Sequence, residues 1–250
     1  MLNVEAIPMP DILAVRLRCD SDTMVRRIER ETDTGWVPIR TIAGTLPQVT
    51  IVVEDYECPL NMPVRYKVQA DNNPAKFITV KVDTSKICLS LPHMPKISVV
   101  LPTFSDYSES RKMPGSTDLI IGRTDPLVTI LPLQKRQGAL KFTFDDYSDA
   151  VTVQNLYAQG YPLLLRQPCN PGLDLYHTAE STSITPRFEQ GVRLWELSVS
   201  YVEQNIPSGD LVGTIGWDYL ALANRHPDYV DMESSYKDYG YLLMDMVLNG

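Results

Sequence analysis

The chain is 250 residues long, 44% hydrophobic and 22% charged, which suits one large domain or two modest ones, each with its own core, and excludes a disordered chain. A net charge of -8 and a pI near 4.9 leave no long-range attraction for phosphate backbones, so nucleic acid is not expected as a partner. No apolar run approaches the roughly 18 residues of a membrane-spanning helix, and the start, MLNVEAIPMPDILAV, lacks the basic and apolar regions of a secretory signal, so folding in a reducing cytosol without membrane insertion is expected.

Up to about residue 90 the apolar residues alternate with period two in ILAVRLRCD, MVRRIERE, GWVPIR, VTIVVED, VRYKVQA, FITVKVD and ICLSL, which predicts seven strands. Turn chemistry separates several of them: TDTG before Trp36, NMP at 61–63 and DNNP at 71–74. That count and spacing describe an immunoglobulin- or fibronectin III-like β-sandwich over residues 1–90. Pro92, Pro95 and Pro102 mark a crossover into a second β-rich domain, 91–210. Its stretch FSDYSESRKMPGSTD (104–118) reads as an exposed loop without regular structure, and DLIIG, LVTILPL and GALKFTF read as strands.

DDYSDAVTVQNLYAQG then breaks the alternation and predicts one inserted helix. Asp145 or Asp146 caps it, Tyr147, Ala150, Val151 and Tyr157 share a face, and Gly160 closes it. Strands return in YPLLLRQP, LDLYHTA, STSITPRF and RLWELSVSYVE. In the last, Trp195, Leu197, Val199 and Tyr201 form one apolar face, which makes Trp195 a core residue.

The C-terminal stretch 211–250 repeats Asp-Tyr at 218/219, 228/229 and 238/239. Ten residues at about 100° each fall about 80° short of three turns, so the pairs cannot share one face of a straight helix. Pro227 supplies a break, and Ser234 and Ser235 can cap a further helix. The segment is read as a short helical extension with helices at about 216–225, 228–233 and 235–248. Six acids against two bases give it a net -4, which disfavours an anionic membrane as its docking surface. Its apolar residues Trp217, Tyr219, Leu220, Tyr229, Met232, Tyr236, Tyr239 and Leu242 are the candidate assembly interface, against the chain's own second domain or a neighbouring subunit.

A catalytic constellation is not legible. There is no phosphate-binding, dinucleotide-binding, zinc-protease or serine-hydrolase motif, and His93, His177 and His226 lie far apart. Cys19, Cys58, Cys88 and Cys169 have no metal-ligand spacing and read as free thiols, mostly buried. Among carboxylates, Glu54, Asp55 and Glu57 in EDYE read as a solvated turn, and Asp145 with Asp146 as a helix N-terminus. No catalytic residue, cofactor or metal is expected. One reading of the aromatics is a carbohydrate-binding module for a cell-surface glycan, since the chain has 13 Tyr and 3 Trp and Trp36 follows a turn.

In order along the chain, DYECPLNMPVRYKVQA (55–70), GRTDPLVTI (122–130), QGALKFTF (137–144), LYAQGYPLLLRQP (156–168) and RLWELSVSYVE (193–203) resemble the minor tail proteins of siphophages that infect actinobacteria. The C-terminal segment, with its Trp, Tyr, Asp and Leu, is similar to the way those proteins end. The resemblance implies a structural protein of the tail tip in the virion, assembled with other phage tail proteins and with copies of itself as a trimer or hexamer.

Overall fold

The computed structural model describes residues 1–119, 121, 124–170, 173–189, 191–212, 214, 226 and 228–235. The chain is mainly β, with 53% strand, antiparallel sheets and, among the described residues, two short α-helices. It divides into two compact units. One comprises Met1–Val100, Leu164–Asp174 and the described residues from Pro207 onward; the other comprises Leu101–Leu163 and Leu175–Ile206.

The first unit is organised on one long strand. Strands β1 (Asn3–Met9), β2 (Ala14–Thr32), β3 (Gly35–Pro38), β4 (Gln48–Asp55), β5 (Val64–Ala70) and β6 (Lys76–Val80) form its main sheet, and β7 (Ile87–Ser90) pairs with β13 (Leu163–Arg166). The runs ILAVRLRCD and MVRRIERE, predicted as two strands, are one 19-residue strand, β2. Its first half pairs with β1 and β4 and its second half with β3 and β5, with register shifts between Asp20 and Val25 and between Val25 and Arg27. Polar DSDT continues the strand with side-chain support: Thr23 N–H donates to Ser21 Oγ at 3.2 Å, and Asn73 Nδ2 donates to the Asp22 carboxylate at 2.9 Å. β1 is not legible in the sequence because Pro8 interrupts it; among the described strands β2 alone is hydrogen-bonded to it, an edge position where proline is tolerated. The core gathers the inward residues of these strands, among them Val15, Leu17, Ile28, Ile51, Tyr66 and Val68.

After a 3-10 turn at Pro95–Ile97 and β8 (Val99–Leu101), the second unit contains β9 (Thr103–Ser110), β10 (Gly115–Asp118), β11 (Leu127–Ile130), β12 (Gln137–Phe144), helix α1 (Tyr147–Tyr157), β14 (Leu175–Glu189) and β15 (Val192–Glu203). The hydrogen-bonded order is β14-β15-β12-β9, while β10 and β11 make a separate two-stranded ribbon. The predicted loop 104–118 is therefore mostly strand. A bulge explains why the pattern hid it: Phe104 pairs with Phe142 and Asp106 with Lys141, leaving Ser105 as the extra residue. Phe104 and Tyr107, three apart, thus reach one face, where Phe104 meets Phe142 at 5.4 Å and Tyr107 stacks on Tyr201 at 6.3 Å. LDLYHTA and STSITPRF are likewise one strand, β14, with an irregularity between Ala179 and Ser181. Of DLIIG, only Asp118 belongs to a described strand, and Leu119 is exposed.

The inserted helix forms where the sequence places it, starting after Asp146, whose side chain makes no capping bond, and ending at Tyr157, with Gly160 at a φ of +74° that suits glycine in the turn that follows. It packs on β12, β14 and β15 through Ala150, Val153, Leu156 and Tyr157. Tyr147 is exposed instead of sharing that face, though its ring lies 4.8 Å from Trp195. In β15, Leu197, Val199 and Tyr201 are fully buried and Trp195 half-buried at the end of the same stripe.

Candidate functional site

The EDYE segment, predicted to be a solvated turn, is buried: Glu54 is 7%, Asp55 2% and Glu57 8% exposed. Three charges on a strand end can leave water only if each meets a partner. Arg16, directly across from Glu54 in the β2–β4 register, donates from Nε at 2.9 Å and Nη2 at 2.5 Å, and Tyr56 O–H donates to the other oxygen. Arg30 Nη1 reaches both Asp55 oxygens at 2.6 Å, while Tyr66 O–H at 2.8 Å and the Glu57 N–H at 3.0 Å donate to the same carboxylate. Burial, reinforced by Asp55, pushes the Tyr66 phenol well above its ordinary range.

Glu57 completes the row. It accepts from Arg40 Nε at 3.2 Å, and that guanidinium also donates to the carbonyls of Gly209 and, at 2.6 Å, Pro207. Leu211 N–H then bonds the Thr41 carbonyl at 2.9 Å, so the beginning of the C-terminal segment is strapped to the first unit. Each carboxylate is thereby engaged by an arginine or tyrosine, and Glu54 also lines a small hollow with Thr41, Thr45 and Leu211. The cluster ties β2 and the start of the C-terminal segment to the end of β4.

Arg166, fully buried, donates from Nη1 to the carbonyls of Leu13 at 2.7 Å and Cys58 at 3.1 Å, with Cys88 Sγ 3.8 Å from Nη2. Its Nε has no partner among the described residues. Burial and Asp55 push the Cys58 thiol up to about 12, and burial with Asp20 does the same to Cys19. Neither is a thiolate nucleophile. Cys88 is buried too, Cys169 is exposed, and all four are free.

His177 is the one fully buried histidine. Its Nδ1 faces the Leu175 carbonyl at 3.5 Å, an acceptor, so Nδ1 carries the proton and Nε2 accepts from Tyr157 O–H at 2.9 Å. Tyr201 closes over the ring edge-on at 5.8 Å. Burial holds its pKa down to about 4, so the imidazole is neutral. His93 is lowered by burial and by Arg40, and His226 Nδ1 meets Asp231 at 2.7 Å. Among the described residues no three metal-binding side chains come together.

Two surfaces stand out instead. The β10–β11 ribbon, joined below by the Gln134 N–H to Lys112 carbonyl bond at 2.8 Å, exposes apolar side chains on both faces: Met113, Leu127, Val128, Ile130, Leu131 and Leu133. Ile130 is 65% exposed. Sequence reading took LVTILPL for an ordinary strand, and no local signal separates it from a buried one. The other surface lies on the first unit's sheet, where Trp36 and Phe77 sit 5.7 Å apart and Arg65 lies over both rings. The pattern VRYKVQA carried that signal, because burying Val64, Tyr66 and Val68 turns Arg65 and Lys67 outward.

Of the predicted assembly residues, Tyr229 and Met232 lie on a second helix, α2 (Tyr229–Ser235). Asp228 caps it by accepting the Asp231 N–H at 2.8 Å. Tyr229 is 70% exposed and Met232 half-buried. Ser234 and Ser235 donate back to the Asp231 carbonyl at 2.8 and 2.9 Å, closing this helix. Trp217, Tyr219, Leu220, Tyr236, Tyr239 and Leu242 lie outside the described residues. No protein-family model matches the chain, and no curated protein matches it.

Proposed function

We propose that the chain is a structural, non-enzymatic component of a long-tailed bacteriophage virion, a minor tail protein of the tail tip that self-assembles and docks to other tail proteins. The observation that carries the assembly role is the β10–β11 ribbon. An isolated two-stranded ribbon is marginal in water, and one with apolar side chains on both faces needs a surface to cover them. Residues 111–135 hold four basic and two acidic residues, a net +2 in a chain of net -8. An acidic second copy of this chain is thus a complementary surface for the ribbon. The ordered resemblance of five sequence segments to siphophage minor tail proteins supplies the virion context. Within this reading, residues 1–90 are an immunoglobulin- or fibronectin III-like sandwich, a topology that the two-ended pairing of β2 favours. Residues 91–210 are the tail-protein domain, and 211–250 a helical extension that adds to the subunit contact, strapped at its start by Arg40.

Light scattering on the full chain and on a variant with residues 113–133 replaced by a short Gly-Ser linker tests the assembly role. The full chain is expected as an oligomer and the variant as a folded species of lower mass; equal masses refute the ribbon's role. Antibody labelling of purified virions in electron micrographs tests the location, and absence of label from tail tips refutes it.

A further inference from the structure

We infer that the outward face around Trp36, Arg65 and Phe77 binds a carboxylate-bearing saccharide, a role beyond assembly. Four neighbouring strands converge to make it. Lys67 on β5 pairs with Phe77 on β6, Arg65 with Thr79, and Glu31 on β2 with Trp36 on β3, so these side chains share the face opposite the core. Lys67 is neutralised by buried Glu29 at 3.1 Å, and its Nζ lies 5.6 Å from the Trp36 ring.

Arg65 is different. It is exposed, its guanidinium carbon lies 4.5 Å from the Phe77 centroid and 5.9 Å from that of Trp36, and it has neither a carboxylate nor a hydrogen-bond partner among the described residues. In a chain with eight more acids than bases, an arginine without an acid is a choice of position. The two rings hold its long side chain in place, so less rotamer freedom is lost when an anion binds. Its free N–H fork matches a planar carboxylate two-point.

The rings define the rest of the ligand. Phe77 is 46% exposed and Trp36 half-buried, and the rings are tilted 53° to each other. Such ring faces accept the C–H faces of a pyranose, apolar on one side and hydroxylated at the edge. Glu31, Thr79 and Gln69, on the same face, offer polar groups to those hydroxyls. One carboxylate per sugar suits a single guanidinium, whereas the chain's net negative charge disfavours a dense polyphosphate.

Saturation-transfer NMR on the full chain decides it, with tetragalacturonate as probe, maltotetraose as neutral control and tetraglutamate as acidic peptide control. Transfer to tetragalacturonate is expected, with little to either control. Arg65→Gln, an exposed substitution expected to leave the Tm unchanged, weakens binding about tenfold. Phe77→Ala reduces transfer to the sugar ring protons. The inference is overturned by no transfer to tetragalacturonate, by equal transfer to maltotetraose or tetraglutamate, or by unchanged affinity in Arg65→Gln. Each of these outcomes is independent of the oligomeric state on which the assembly role is tested.

Discussion

His177 makes a test of the second unit's core that needs no ligand. In the unfolded chain its imidazole takes a proton near the ordinary 6.5, whereas in the folded chain burial between Tyr157 and Tyr201 holds it neutral down to about 4. Between those values the unfolded state binds the extra proton, so the contribution of His177 to stability is intact above about pH 6.5 and is lost progressively as pH falls toward 4. At a little over 1 kcal/mol per pH unit, the loss between pH 7.5 and 5.0 comes to about 2 kcal/mol, and to about 3 kcal/mol when complete. His177→Gln removes the titration while offering Tyr157 a carbonyl acceptor. Urea unfolding of both proteins at pH 7.5 and 5.0 isolates the effect, because the carboxylates titrate equally in each and cancel in the difference. The wild type should lose about 2 kcal/mol more than the variant over that interval. Equal losses, or an NMR titration of His177 near pH 6.5, would refute a buried neutral imidazole.

Asp55→Ala leaves the Arg30 guanidinium buried without its carboxylate and should cost about 3–5 kcal/mol in the first unit, with little dependence on salt, measured by urea unfolding. The double variant Arg30→Met/Asp55→Leu should recover most of that loss; a single-variant cost below about 1 kcal/mol would mean that the pair is solvated. Gly138→Ala probes the β9–β12 pairing, because a Cβ there would run into the Ser108 carbonyl. A loss of about 1–3 kcal/mol, read as a fall of several degrees in Tm, is expected, and an unchanged Tm would argue that 104–110 is the loop that its composition suggests.

The strands with strict alternation were legible because a half-buried strand writes its burial into every second residue, as in VRYKVQA and RLWELSVSYV. Where one extra residue intervenes, the signal inverts midway. Ser105 does this in β9, and the stretch Ala179–Ser181 does it in β14, so one strand looked like a loop and the other like two strands. The helix was legible from Asp146 and Gly160, but its buried face moved from Tyr147 and Val151 to Val153 and Leu156, since three β-strands decide which side is covered. Arg65 and Phe77 went unnoticed because they come together only through the β5–β6 register.

The amino-acid pattern by itself determined the mainly β character, the single helix inserted after Asp146, and the absence of any familiar catalytic motif, because these are matters of local spacing and residue type. Only the tertiary structure decided what EDYE does. Its acids are buried because Arg16, Arg30 and Arg40 arrive from 38, 25 and 17 residues away along the chain. A carboxylate next to a turn is cheapest in water until a guanidinium is fixed beside it, and no local pattern states whether one will be. The same holds for the ribbon, whose apolar residues look like core in the sequence and are exposed because, among the described residues, nothing covers the faces of β10 and β11.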